Sequence, residues 1–263
     1  MLQRKSLAGW IACLGLLITT TALADTTTRA DSSSGDKQAR KNQTAPKTNA
    51  KTKTPNPVYA LPEIDPSLPN VLLIGDSISI GYTLDVRREL SGQANVFRPP
   101  TNCGPTTRGL EQLDAWIGDR SWDVIHFNFG LHDLKYLGPN GKNLSDPNDP
   151  ASKQQVAIDA YAQNIETIAK RLLETGAAVS WRETTPVPEG SAGRVPGDSA
   201  RYNAAVTEVL KRYPTIQVDP MFQFAQQIAD QQRAANVHYT PKGSEQLGEH
   251  VAEVIRPRLS VKK

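Results

Sequence analysis

A parallel β-sheet covered on both faces by helices, a single three-layer αβα sandwich, is the fold this sequence predicts. Three observations carry it: short apolar runs alternate with segments of helical periodicity, about 206 residues (58–263) have a composition able to fold, and no internal repeat divides them. Such alternation implies parallel strands joined by right-handed crossovers, and a chain of that length packs one core well. The first strand is Val71-Leu72-Leu73-Ile74, an uninterrupted apolar run of the kind buried on both faces. It is followed by a helix over 80–90, a strand at 94–97, a helix at 109–118 and a third strand at 123–129. The longest helix is predicted over 152–175, where Val156, Ala160, Ile165, Ile168, Leu172 and Leu173 recur at three- and four-residue spacing before Gly176. Strands at 177–181 and 215–218 then alternate with helices at 199–212, 221–234 and 242–257.

Ahead of this domain, residues 1–24 read as a secretory signal peptide: Arg4 and Lys5, an apolar stretch from Leu7 to Leu17, then Ala22-Leu23-Ala24 as a cleavage site. The stretch is short and interrupted for a transmembrane helix, so no integral membrane segment is expected after cleavage. Cys13 after Trp10-Ile11-Ala12 is only a weak lipoprotein signal. With the leader removed Cys103 is the one cysteine left, and stability must come from packing, not disulfides. Residues 25–57 are polar, with seven Lys or Arg against three Asp, and are expected to form a disordered basic tether. Residues 58–263 carry 21 basic and 24 acidic residues, so the basic balance of the chain belongs to its leader and tether. Such a tether is expected to act chiefly as a spacer, with at most weak contact to an anionic envelope polymer. The basic residues of the domain are scattered, with no aromatic-rich stripe, and no nucleic-acid partner is expected.

In an open α/β sheet, chemistry falls at the carboxyl ends of strands. Ser77 stands there, directly after the first strand, with a helix N-terminus to follow; alone, the segment suits a helix cap equally well. After the second strand, Gly104 in the loop 99–109 can bring its N–H to a ligand or serve a tight turn, and Cys103 reads as a small buried hydrophobe. After the third, Asn128 and His132 can each donate a hydrogen bond, while His126 reads as structural and Asp133 as a brace between loops. His238, before the last helix, is the natural general base. Thr240 and Pro241 can start that helix, and His250 within it reads as a surface residue. The four histidines at 126, 132, 238 and 250 form no HExxH and no close ligand spacing, so neither a metal nor another cofactor is expected.

Gly75-Asp76-Ser77, Gly104-Pro105-Thr106 after Asn102, Gly130-Leu131-His132-Asp133, and Val237-His238-Tyr239 with Gly243 beyond form four ordered blocks. Through them the chain resembles the SGNH hydrolases, also called the GDSL esterase/lipase family, over roughly 68–257. The resemblance implies a flavodoxin-like sandwich around a central five-stranded parallel sheet. It also implies hydrolysis of carboxylic esters through a serine acyl-enzyme, with Ser77 as nucleophile, His238 as base, and the Ser77 and Gly104 N–H groups as oxyanion donors. Two positions depart from the family. His132 stands where the family has its oxyanion asparagine, leaving His132 or Asn128 as the third donor. Ala235 stands where the family usually has an aspartate, three residues before the histidine; Asn236, Asp219, Glu245 or a backbone carbonyl is then left to orient His238.

The polar segment 135–153 and the run from Thr184 to Gly197 are expected to form irregular rims beside the site. Trp181, Arg182, Arg108 and Tyr136 are candidates for touching a sugar or an anion. No broad apolar cap is evident to hold a long acyl tail. The sequence therefore reads as an exported esterase, periplasmic or extracellular, removing short O-acetyl groups from a carbohydrate. A lipid or general acyl-ester hydrolase, or a catalytically degenerate glycan-binding module, are the alternatives.

Overall fold

The computed structural model describes residues 56–259. The expected leader and all but the last two residues of the expected tether lie outside the described residues. The described chain opens on a short 3-10 turn, Pro57–Tyr59, capped by Asn56, whose side chain accepts from the Val58 N–H. Arg87 holds that turn to the domain by donating to the Ala60 carbonyl at 3.0 Å.

Strand β1 (Asn70–Ile74) leads to α1 (Ser77–Glu89), β2 (Asn95–Phe97), α2 (Thr106–Ile117) and β3 (Val124–Phe127). A small ribbon follows, β4 (Tyr136–Leu137) and β5 (Lys153–Gln154), then α3 (Ile158–Leu173), β6 (Ala178–Arg182), α4 (Asp198–Leu210) and β7 (Gln217–Asp219). Helices α5 (Met221–Gln227) and α6 (Pro241–Ile255) complete the fold. The main sheet has five strands in the order β2-β1-β3-β6-β7, all parallel, as expected from the sequence. Val71 to Ile74 are buried throughout, as a strand with helices on both faces requires. From β1 the chain moves outward to β2 and then returns to β3 on β1's other side, so the crevice of an open α/β sheet opens just past the ends of β1 and β3.

Several boundaries differ from the sequence reading for local reasons. Helix α1 begins at Ser77, not at 80, because Asp76 caps it: the Asp76 carboxylate accepts from the Ile78 N–H at 3.0 Å. Helix α3 begins at Ile158, not at 152, because Lys153 and Gln154 instead pair antiparallel with Leu137 and Tyr136. The segment predicted as one helix over 221–234 ends at Gln227, then forms a 3-10 turn at Ala229–Gln231, and Gln232 pairs with Tyr239. Among the described residues no helix is long and apolar enough to cross a membrane.

Helices α2, α3 and α4 pack in sequence on one another, while α1 packs on α6. The contact between α1 and α6 positions the site. A Cβ on Gly248 would stand 2.6 Å from the Asp85 Cβ and 3.1 Å from the Tyr82 carbonyl oxygen. Only glycine lets the two helices approach so closely. Ser77 and His238, each just at or before the start of one of these helices, are thereby carried to the same end of the sheet.

Candidate active site

Ser77 is the first residue of α1, and its Oγ lies 2.8 Å from Nε2 of His238. The imidazole is held from its other side by Asn236, whose Oδ1 is 2.7 Å from His238 Nδ1 and 3.0 Å from the His238 backbone nitrogen. These contacts settle the tautomer. A backbone N–H can only donate, so the atom facing it is the amide oxygen; that oxygen can only accept, so Nδ1 carries the proton. Nε2 is then left with its lone pair, and the Ser77 hydroxyl donates to it. Ala235, just before Asn236, takes a left-handed φ of 51° and so bends the chain next to the residue that meets the ring nitrogen.

His238 is half-buried, and burial lowers its pKa from the ordinary histidine value. Arg194 and Arg233 press in the same direction, while the Asp76 carboxylate opposes them. A neutral ring is what a general base requires. Asp76 is buried, with Oδ1 on the Ile78 N–H and no partner for Oδ2 among the described residues. Its influence on His238 runs against that of the two arginines and favours a protonated ring.

The candidate oxyanion donors stand in different conditions. The Ser77 N–H belongs to the first turn of α1, whose amides have no acceptor within the helix. The Gly104 N–H donates to Asn102 Oδ1 at 2.9 Å, so its use on an oxyanion requires Asn102 to give way. His132 is partly buried, and burial lowers its pKa, with Lys135, Arg194 and His238 adding to the effect and Asp76 opposing it. A neutral His132 retains one ring N–H to donate. Asn128 does not join them. Its amide donates to the Arg182 carbonyl at 2.8 Å, and its oxygen accepts from the Arg182 guanidinium at 2.5 Å, turning it into the buried sheet and away from the crevice.

Two of the three side chains considered for orienting His238 lie elsewhere. Asp219, wholly buried, accepts from His126 Nε2 at 2.8 Å and His250 Nε2 at 2.7 Å. Burial alone would raise its pKa, but these two hydrogen bonds overcome burial and bring it down to about 2. His250 is accordingly no ordinary surface residue: it bonds Asp219 and stacks on Phe224 with ring centroids 4.3 Å apart. Glu245 pairs with Arg88 and Lys242. Trp181 and Arg182 are wholly buried, out of the reach of a sugar, whereas Arg108 is exposed and donates to Thr101 Oγ1. Cys103 is buried and its thiol is pushed up to about 11 by that burial, so it offers no competing nucleophile. Asp133 does brace loops, accepting from both the Thr106 N–H and hydroxyl.

Arg98 escaped the sequence reading. Buried beneath the strand ends, it donates to the Ser79 and Thr83 hydroxyls, the Thr101 carbonyl at 3.1 Å and the Gly75 carbonyl at 3.4 Å, tying the exit of β1 to the loop that carries Gly104. Its place right after β2 was the available signal. The two expected rims are also joined, by the Tyr136 N–H donating to the Gly193 carbonyl at 2.7 Å.

A serine at a strand end, a neutral histidine on its hydroxyl and an amide oxygen fixing the tautomer define a hydrolase of the Ser-His type, built on a flavodoxin-like sandwich. Residues 71–251 match the GDSL-like lipase/acylhydrolase family, and the chain belongs to it. No curated protein is similar enough in sequence to be matched. Among solved structures the chain is similar to a lipase/acylhydrolase from Enterococcus faecalis, at 18% identity and a TM-score of 0.59, over 74% of this chain and 100% of that one. It is also similar to the acetyl xylan esterase AlAXEase, at 11% identity and a TM-score of 0.57, over 71% and 99% of the two chains. A catalytic mutant of an acetylxylan esterase from Geobacillus stearothermophilus matches at 11% identity and a TM-score of 0.58, over 71% and 94%. At these identities the likeness is one of fold.

Proposed function

We propose that this protein is an exported serine esterase, periplasmic or extracellular, that removes short acyl groups, O-acetyl above all, from a carbohydrate. The observation that carries the reading is the chain of contacts from Ser77 through His238 to Asn236. In the reaction His238 Nε2 takes the Ser77 proton as Oγ attacks the ester carbonyl, and the imidazolium is held by Asn236 Oδ1 and favoured by Asp76. In this reading the Ser77 N–H and a ring N–H of His132 receive the oxyanion, with Gly104 as a third donor once Asn102 yields. His238 then protonates the departing alcohol, activates water against the acyl-enzyme and returns to its starting state.

The size of the site supports a short acyl group. The cavity lined by Ser77 and His238 is about 150 Å³, far below the ~300–1,000 Å³ of pockets that enclose larger ligands. The activity of the two acetylxylan esterases, carried over here as part of the proposal, agrees with removal of acetyl from a sugar. Export follows from the leader read at 1–24.

The test is hydrolysis of 4-nitrophenyl acetate and of acetylated xylooligosaccharides by the intact protein and by Ser77→Ala, with fluorophosphonate labelling alongside. The intact protein is expected to turn over the acetyl esters and take the label, and Ser77→Ala to do neither. Equal hydrolysis by Ser77→Ala would remove Ser77 as nucleophile, and preference for long-chain esters would overturn the carbohydrate reading.

A further inference from the structure

The cavity that holds Ser77 and His238 shares a wall with a larger groove of about 570 Å³, and Arg233 belongs to the lining of both. The guanidinium is anchored at one end, where Nε donates to the Tyr239 carbonyl at 3.0 Å. Its two terminal nitrogens have no partner among the described residues, and no carboxylate there lies within ion-pair distance of it. The other charged side chains of the groove all have partners: Asp85 and Glu245 pair with Arg88 from outside it, at 2.6 and 3.3 Å, Arg88 also holds Glu89 at 3.2 Å, and Lys242 pairs with Glu245 at 3.3 Å. Arg233, exposed in this wall, is the charged side chain of the groove that makes no ion pair among the described residues.

Its placement carries a cost for the chemistry. Arg233 bears on His238 and disfavours the imidazolium that forms during acyl transfer. Arg194, which bears on both His238 and His132, likewise has no carboxylate within ion-pair distance among the described residues. An anion bound beside them would cancel that penalty as it bound, and the flat fork of a guanidinium with free terminal nitrogens suits a carboxylate or phosphate.

We propose that Arg233 binds an anionic group of the substrate, so that the preferred ester is one carried on an acidic glycan. The ester in this statement rests on the proposed function; the charge preference rests on Arg233. The binding test uses the full chain as Ser77→Ala and three probes: oligogalacturonate for carboxylate, a glycerol phosphate oligomer for phosphate, and neutral xylohexaose. By titration calorimetry, at least one acidic oligomer is expected to bind about tenfold or more tighter than xylohexaose, as a charge-assisted hydrogen bond implies, with the preference shrinking as salt is added. Adding Arg233→Gln should abolish the preference, and Arg233→Lys, which keeps the charge but loses the fork and the tie to Tyr239, should retain only part of it. Which acidic probe binds better separates carboxylate from phosphate. Equal binding of acidic and neutral oligomers, or a preference that survives Arg233→Gln, would overturn the proposal.

A companion measurement on the otherwise intact chain compares kcat/KM for acetylated oligogalacturonate and acetylated xylooligosaccharide as a ratio. If neither is hydrolysed while the binding preference stands, the esterase reading fails and the anion site survives. If both are hydrolysed at one rate and bound alike, the anion site fails and the esterase survives.

Discussion

Asn236 supplies the amide oxygen that other serine hydrolases replace with a carboxylate, and exchanging it tests the whole arrangement. In Asn236→Ala, Nδ1 of His238 loses an acceptor at 2.7 Å and its backbone N–H loses one at 3.0 Å. A hydrogen bond to a charged partner contributes ~1.5–3 kcal/mol, and the exposed position of Asn236 points to the lower end. About 1.5 kcal/mol of transition-state stabilisation corresponds to a roughly tenfold fall in kcat/KM. Asn236→Asp keeps the geometry and adds a charge. Screening at a half-exposed ring limits its effect to ~1 kcal/mol, a rise of about fivefold on the plateau. It also favours the imidazolium in the free enzyme. Because the base works only when neutral, the acid limb of the kcat/KM profile should move to higher pH in Asn236→Asp. The assay is the pH profile for 4-nitrophenyl acetate over pH 5 to 9. An unchanged rate in Asn236→Ala together with an unmoved acid limb in Asn236→Asp would refute the assignment of the orienting role to Asn236.

Gly248→Ala would force a methyl against the Tyr82 carbonyl and the Asp85 Cβ, and overpacking of this kind costs ~1–3 kcal/mol. A lower melting temperature with reduced kcat/KM is expected; a normal melting temperature would show that α1 and α6 have slack. Asp133, raised to about 7 by burial against the weaker pull of its Thr106 hydrogen bonds, holds its proton in the folded state where the unfolded chain has released it. Its contribution is therefore greatest below about pH 4 and is lost as pH rises toward 7. Urea unfolding at pH 5 and pH 8 should show a smaller difference in Asp133→Asn than in the unaltered chain, and an identical difference would contradict the assignment.

The sheet was legible because its strands are compact apolar runs and its turns punctuate them. Ser77 and His238 were legible because each sits in a short motif directly after a strand or before a helix. What escaped depends on partners distant in sequence. Asp219 looked free to orient a histidine at the end of β7; its carboxylate is taken by His126 from β3 and His250 from α6, a meeting that no local pattern encodes. Asn128 has the chemistry of an oxyanion donor, yet Arg182 on the neighbouring strand claims its amide. Asn236 was one of several candidates, and the left-handed turn at Ala235 decides among them, an effect of backbone conformation that residue type alone does not predict. Arg98 was invisible for a similar reason: an arginine reads as surface charge until its neighbours in space are known.

The pairing of α1 with α6 makes the active site a product of the complete fold. Ser77 and His238 are 161 residues apart, so their contact exists only in a chain whose two ends have come together. In the finished molecule the same dependence acts in reverse: release of α6 alone, an opening that requires less than global unfolding, separates the pair while the rest of the sheet stands. Esterase activity is then a more sensitive gauge of the attachment of this helix than any probe of overall structure.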